Sequence, residues 1–185
     1  MPTYKNLAGA NMQTVQQAVV KAGLLLTNAK AKLATRDSKI TSLLGDAFGI
    51  GPSQWSDGTA KIGVMNITNV LTKIASCMAK STILFEPRPP ANASQFACYV
   101  IVSTPRPEVF LTKLFFGGYS TVERAAYLAH EYVHLAHWPH GHPGVAGEQL
   151  AVFFERAPLG IPASLSVNNA YCYQYFVEWF AADYP

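Results

Sequence analysis

Two histidines four residues apart with a glutamate beside the first, His130-Glu131-Tyr132-Val133-His134, are the residues whose types and spacing point most directly to chemistry. On a helix, positions four apart project from one face about a turn from each other, so the two imidazoles can converge on one ion. Glu131 then lies where its carboxylate reaches a water on the ion rather than the ion itself. This H-E-x-x-H pattern is that of a catalytic zinc site, in which two imidazoles and a third protein ligand leave one position open for water. A water acidified by zinc and relieved of its proton by Glu131 can attack a carbonyl that the metal polarises. The expectation is a Zn2+ centre on His130 and His134, with Glu131 as general base, that hydrolyses peptide bonds.

The third ligand is less plainly written. All five histidines, His130, His134, His137, His140 and His142, fall within thirteen consecutive residues. His140 stands at the third-histidine position of H-E-x-x-H-x-x-G-x-x-H, but His137 occupies the glycine position and the last methionine, Met78, lies upstream, so no Met-turn follows. A carboxylate from a later helix is the other common solution, and Glu148, Glu155, Glu178 and Asp183 are the candidates. Glu155 adjoins Arg156 at a charged helix end. Glu178 lies in a stretch, 171–180, that is apolar almost all round, where an unpaired carboxylate is costly and zinc supplies the missing partner. Glu178 is therefore preferred. Tyr171 and Tyr175, seven and three residues earlier, can face the same side and donate to a developing oxyanion, or can be packing aromatics.

These residues need a helix to hold them. Ser120 to Glu123 has the S-x-x-E form of a capping box, so a helix is expected to start at Thr121, and Pro139 disfavours its continuing far past His137. Leu128, Ala129, Val133, Leu135 and Ala136 make it largely apolar, so His130, Glu131 and His134 would need strong partners there. Upstream, helices are expected over 12–32, with Val15, Val19, Ala22, Leu26 and Ala29 on one face, over 38–48, and over 59–80, with Ile62, Met65, Val70, Ile74 and Met78 on its apolar face. Runs of β-branched and aromatic residues at 82–85, 96–102 and 109–114, separated by proline-rich breaks, read as three strands of a small sheet. Strands that short cannot fold alone, which favours one α+β domain over 1–185.

Composition narrows the partners. The chain has 185 residues, 50% hydrophobic and 14% charged, with 14 Lys and Arg against 11 Asp and Glu and no basic run, so nucleic acid is not expected. The apolar stretch 18–26 is broken by Lys21 and is shorter than the roughly 20 residues that span a bilayer, so neither an anchor nor an export signal is expected from it. Cys77, Cys98 and Cys172 are too few for a disulfide framework, and buried thiols are the reading favoured over one disulfide with a thiol left over.

Beyond the motif, three features resemble the aspzincins, the deuterolysin and peptidyl-Lys metallopeptidase group. They are Val109-Phe110-Leu111 followed by Phe115-Phe116, the helix ending in His130-Glu131-Tyr132-Val133-His134, and Asn169-Ala170-x-x-Tyr173-x-Tyr175-Phe176. The resemblance implies a zincin-like metallopeptidase fold. The family's G-T-x-D-x-x-Y-G motif, source of its aspartate ligand, does not occur between His134 and Asn169, which removes the basis for carrying over its lysine preference and raises Glu178 as the replacement. The pattern with Glu for Asp is also similar to the metallopeptidase domain at the C-terminal end of some type VI secretion spike (VgrG-type) proteins. That likeness implies a secreted antibacterial toxin, part of a larger spike protein, acting on peptide or protein substrates in the periplasm of a rival cell. The rival readings are a zinc-binding delivery or protein-interaction module without hydrolysis, and a hydrolase of cell-wall amide bonds.

Overall fold

The computed structural model describes residues 1–101, 107–136, 161 and 163–185. A short strand, β1 (Thr3–Lys5), leads into α1 (Gly9–Thr35), whose regular apolar steps put Val15, Val19, Ala22, Leu26 and Ala29 in the core as its periodicity predicts. Arg36 ends α1 in a left-handed conformation, and Asp37 caps α2 (Ser38–Phe48) by accepting from the Ile40 amide at 3.0 Å. Gly49 closes α2 at φ 66°, where a β-carbon would stand 2.8 Å from the Ile161 carbonyl oxygen. Conformation and close approach both require glycine there.

After α3 (Pro52–Ser56) comes α4 (Thr59–Lys80), with the bounds its sequence suggests but a different buried face. Val70, Ile74 and Met78 are buried, whereas Ile62 and Met65 are 58% and 56% exposed, and Ala60, Ile67 and Leu71 complete the stripe instead. At 3.6 residues per turn, Ile62 and Met65 sit about 140° and 160° round the helix from Ile67, nearly on its far side. By length and composition alone α4 is a candidate membrane span, a test that core helices also pass. Its buried stripe packs on α1 and on the later helix α5 (Thr121–Ala136).

The sheet has four strands, β1 with β2 (Thr82–Phe85), β3 (Cys98–Val100) and β4 (Glu108–Leu111), in the order β1-β2-β4-β3. β1 pairs with β2 and β2 with β4 in parallel, in the register Tyr4↔Ile83↔Val109, while β3 runs antiparallel to β4 with Tyr99 opposite Phe110. The strand expected over 96–102 is ordered as strand only at Cys98–Val100, and residue 102 lies outside the described residues. The one expected over 109–114 stops at Leu111. There Thr112 turns the chain, donating to the Phe96 carbonyl at 2.7 Å and accepting from the Leu114 amide at 3.2 Å, which starts a 3-10 turn over Lys113–Phe116.

A short α6 (Ala163–Ser166) and the terminal α7 (Ala170–Asp183) complete the described elements, a mixed α+β arrangement in which helices predominate. Buried residues of α1, α2, α4, the sheet, α5 and α7 form one connected core. Cys98 and Cys172 are buried, Cys77 is half-buried, and all three are free thiols.

Candidate metal centre

α5 is built from its start. The Ser120 amide donates to Glu123 Oε2 at 2.6 Å and the Glu123 amide donates to Ser120 Oγ at 3.2 Å, the reciprocal pair that the S-x-x-E spacing predicts. Arg124 donates to the carbonyls of Phe115 and Gly117 at 2.8 and 2.7 Å, tying the first turn to the chain leaving β4. One face, with Ala125, Leu128, Ala129 and Tyr132, is buried, and the Tyr132 hydroxyl shares a hydrogen bond with Ser81. The opposite face puts Glu123, Tyr127, His130 and Glu131 on the wall of a cavity of about 480 Å3.

His130 is buried and His134, one turn on, is half-buried. Their Nε2 atoms are 3.2 Å apart, with the rings at 72° to each other. An ion about 2.0 to 2.1 Å from both nitrogens, the zinc–imidazole length, would see them at an angle of about 100°, close to tetrahedral. The two imidazoles alone have the spacing of two positions of a zinc site.

The second wall is α7. Asn169 caps it, accepting from the Tyr171 amide at 2.9 Å, and the Tyr173 hydroxyl donates back to the Val167 carbonyl at 2.9 Å. Tyr171 packs edge-on against His130, ring centroids 4.4 Å apart, and Tyr171, Gln174, Tyr175, Glu178 and Trp179 face the cavity. Because Tyr171 meets His130 while Glu178 feels the charge of Glu123 and acts on Tyr127, α7 runs back along α5 with Glu178 towards the start of that helix. The third wall is the chain Gln95–Cys98 leading into β3.

The structure therefore brings His130 and His134 together, sets Glu131 beside them, and places Glu178 in the same cavity but away from the imidazole pair. Among the described residues no three His, Cys, Asp or Glu side chains form a group that could hold one ion. Asp183 is the last residue of α7. His137, His140, His142, Glu148 and Glu155 lie outside the described residues.

Burial governs the electrostatics. Glu131 lines the cavity, and burial of its carboxyl pushes its pKa up to about 8. Glu178 is pushed up to about 7, by burial first and by the charge of Glu123, against the lowering effect of a hydrogen bond from Gln174. Burial and the charge of Glu131 raise both the Cys98 thiol and, more mildly, the Tyr171 hydroxyl. A divalent cation on the imidazoles would favour the charged form of both carboxylates and reverse these directions.

Sequence reasoning did not identify Gln95, Glu123, Tyr127, Gln174 or Trp179 as cavity residues. For Glu123 and Tyr127 the signal was available, since they lie two turns and one turn before Glu131 on one helical face. For Gln174 the signal was a lone amide in an apolar helix. No protein-family model matches the chain, and no curated protein matches it.

Proposed function

We propose that this chain is a zinc-dependent metalloendopeptidase domain with a zincin-like, aspzincin-related fold. The observation that carries the reading is the pair of imidazole nitrogens 3.2 Å apart, with His130 and Glu131 on the wall of one cavity. A hydrogen-bonded histidine pair needs neither a carboxylate next to the first ring nor a cavity, and a structural zinc site closed by four protein ligands needs no base. Zinc bound there would lower the pKa of an attacking water and polarise the scissile carbonyl.

The chain's own residues do the rest. His130 and His134 hold the ion, and Tyr171, edge-on to His130, fixes that ring's orientation. Glu131 takes the proton from the water and passes it to the leaving amine. Glu178 is assigned as third ligand: of the three carboxylates on the cavity among the described residues, Glu123 is engaged in the Ser120 cap and Glu131 is the base. As placed it is not grouped with the imidazoles, so the assignment requires it to close on them when the metal binds. A peptide substrate is favoured by β3, an edge strand among the described residues, whose first residue Cys98 lies on the cavity wall. An extended peptide can add to such an edge through its backbone. The biological setting that fits is a toxin domain of a type VI secretion spike protein, delivered to the periplasm of a target bacterium.

The test is Glu131→Gln in zinc-loaded protein, assayed on a peptide library. Zinc content should stay stoichiometric while hydrolysis falls by about 10²- to 10⁴-fold, the usual worth of a general base. Full activity in Glu131→Gln would sink the mechanism, and an inert wild-type protein with bound zinc would favour the delivery-module reading.

A further inference from the structure

A reaction that builds negative charge on a carbonyl oxygen is accelerated by hydrogen-bond donors already aimed at that oxygen. Among the described residues on the cavity wall there is no Lys or Arg, so the donors it offers are neutral amides, phenols and an indole. Most of them belong to the Glu178 end. Gln174 donates to Glu178 at 3.4 Å, and the Tyr127 and Tyr175 hydroxyls feel the charge of that carboxylate. Tyr119 packs on Tyr127 with ring centroids 5.0 Å apart, Trp179 stacks on Tyr175 at 5.3 Å, and Gln95 is exposed on the third wall.

Tyr171 is different. It stands in the first turn of α7 with its ring edge-on to His130, centroids 4.4 Å apart, and the charge that acts on its hydroxyl is that of Glu131. One side chain thus reaches both members of the proposed reaction centre, the first imidazole with its ring and the base with its hydroxyl. The ring contact does not account for the hydroxyl, since a phenylalanine would make it equally well. Resting on the zinc reading above, we propose that Tyr171 is a catalytic residue whose hydroxyl donates a hydrogen bond to the oxygen of the scissile carbonyl as that oxygen becomes an oxyanion. As the water oxygen bonds to the carbonyl carbon, the π electron pair moves onto the carbonyl oxygen and the water's proton goes to Glu131. Tyr171 keeps its own proton and acts only as a hydrogen-bond donor. Its bond strengthens as the charge builds, so it is worth more in the transition state than in the bound substrate.

The experiment compares Tyr171→Phe with Tyr175→Phe in the whole zinc-loaded chain. The probes are the library peptide that the wild-type protein cleaves fastest and its phosphinic analogue, in which a tetrahedral phosphinate replaces the scissile amide. Tyr171→Phe keeps the ring on His130, so the zinc dissociation constant should stay at the wild-type value. Its kcat should fall about 10²- to 10³-fold with KM little changed, the usual worth of one oxyanion donor, and its calorimetric affinity for the analogue should fall about tenfold or more. Wild-type kcat and analogue affinity in Tyr171→Phe would overturn the inference, as would an equal or larger fall in Tyr175→Phe. A loss of zinc affinity that matches the loss of kcat would overturn it too, because the hydroxyl would then act on His130 and not on the substrate. The zinc reading fails separately: stoichiometric zinc in His130→Ala, or a zinc-loaded wild type that cleaves no peptide, brings down that reading and the inference with it. If the wild type needs His130 for zinc and cleaves peptide while Tyr171→Phe is unaffected, only the inference falls.

Discussion

The two helices that form most of the cavity teach opposite lessons about how a site is encoded. α5 carries its chemistry as a local pattern: a capping box sets where it starts, a four-residue step puts His130 and His134 on one face, and an apolar face docks it. α7 has almost no polar face, and nine of its residues are buried. What it offers the site depends on where its neighbours lie, so Tyr171 becomes a cavity residue only because it lands on His130. The first helix can be read before folding and the second only after it.

The largest effect that separates them is loss of metal without loss of fold. His130→Ala and His134→Ala should each lose stoichiometric zinc on metal analysis while keeping the helical circular dichroism of the parent, because both positions lie on the face of α5 turned away from buried Leu128 and Tyr132. Stoichiometric zinc in both variants would remove the basis for the contrast.

The bounds of α2, α4 and β2 match those expected from their apolar runs, and the start of α5 was legible from a local signal, the Ser120–Glu123 box. β1 was not, since three residues, Thr3–Lys5, carry no period and become a strand only by pairing with β2. The face of α4 was misread at Ile62 and Met65, because an evenly apolar helix leaves its buried stripe to be chosen by what packs on it. Within the site, the His130-Glu131-His134 constellation is a spacing and could be read. The distance of Glu178 from it is a matter of how α7 lies along α5, which no local pattern records.

A core change in α7 should do the reverse of the histidine changes, removing the fold and the metal with it. Phe176 is fully buried and packs on Phe48 of α2, ring centroids 5.4 Å apart. Phe176→Ala should cost about 3 to 5 kcal/mol in urea unfolding of the metal-free protein, a large share of the roughly 5 to 15 kcal/mol that holds a domain. A cost below about 1 kcal/mol would show that α7 is not the structural partner its burial implies.

The smallest effect concerns what pins the far end of α7. Asp37 caps α2 and also accepts from the Tyr184 hydroxyl just past α7, with Lys32 Nζ 3.8 Å from its other oxygen. The Tyr184 hydrogen bond first, then the Ile40 amide, hold its carboxyl down to about 2, against an ordinary value of 3.8. Tyr184 itself is raised to about 12, so its hydroxyl remains a donor throughout the acid range. A carboxylate depressed on folding adds stability above its unfolded pKa, and that stability is lost as pH falls through the folded value. The gap in urea midpoint between wild type and Asp37→Asn should therefore be full at neutral pH, begin to shrink near pH 3.8, and be lost as pH falls through about 2. The carboxylate is open to solvent, so the gap should be modest and should narrow further in high salt. A gap that does not change across this window would mean that Asp37 holds α7 by shape and not by charge, and the pH dependence would then have to come from other carboxylates.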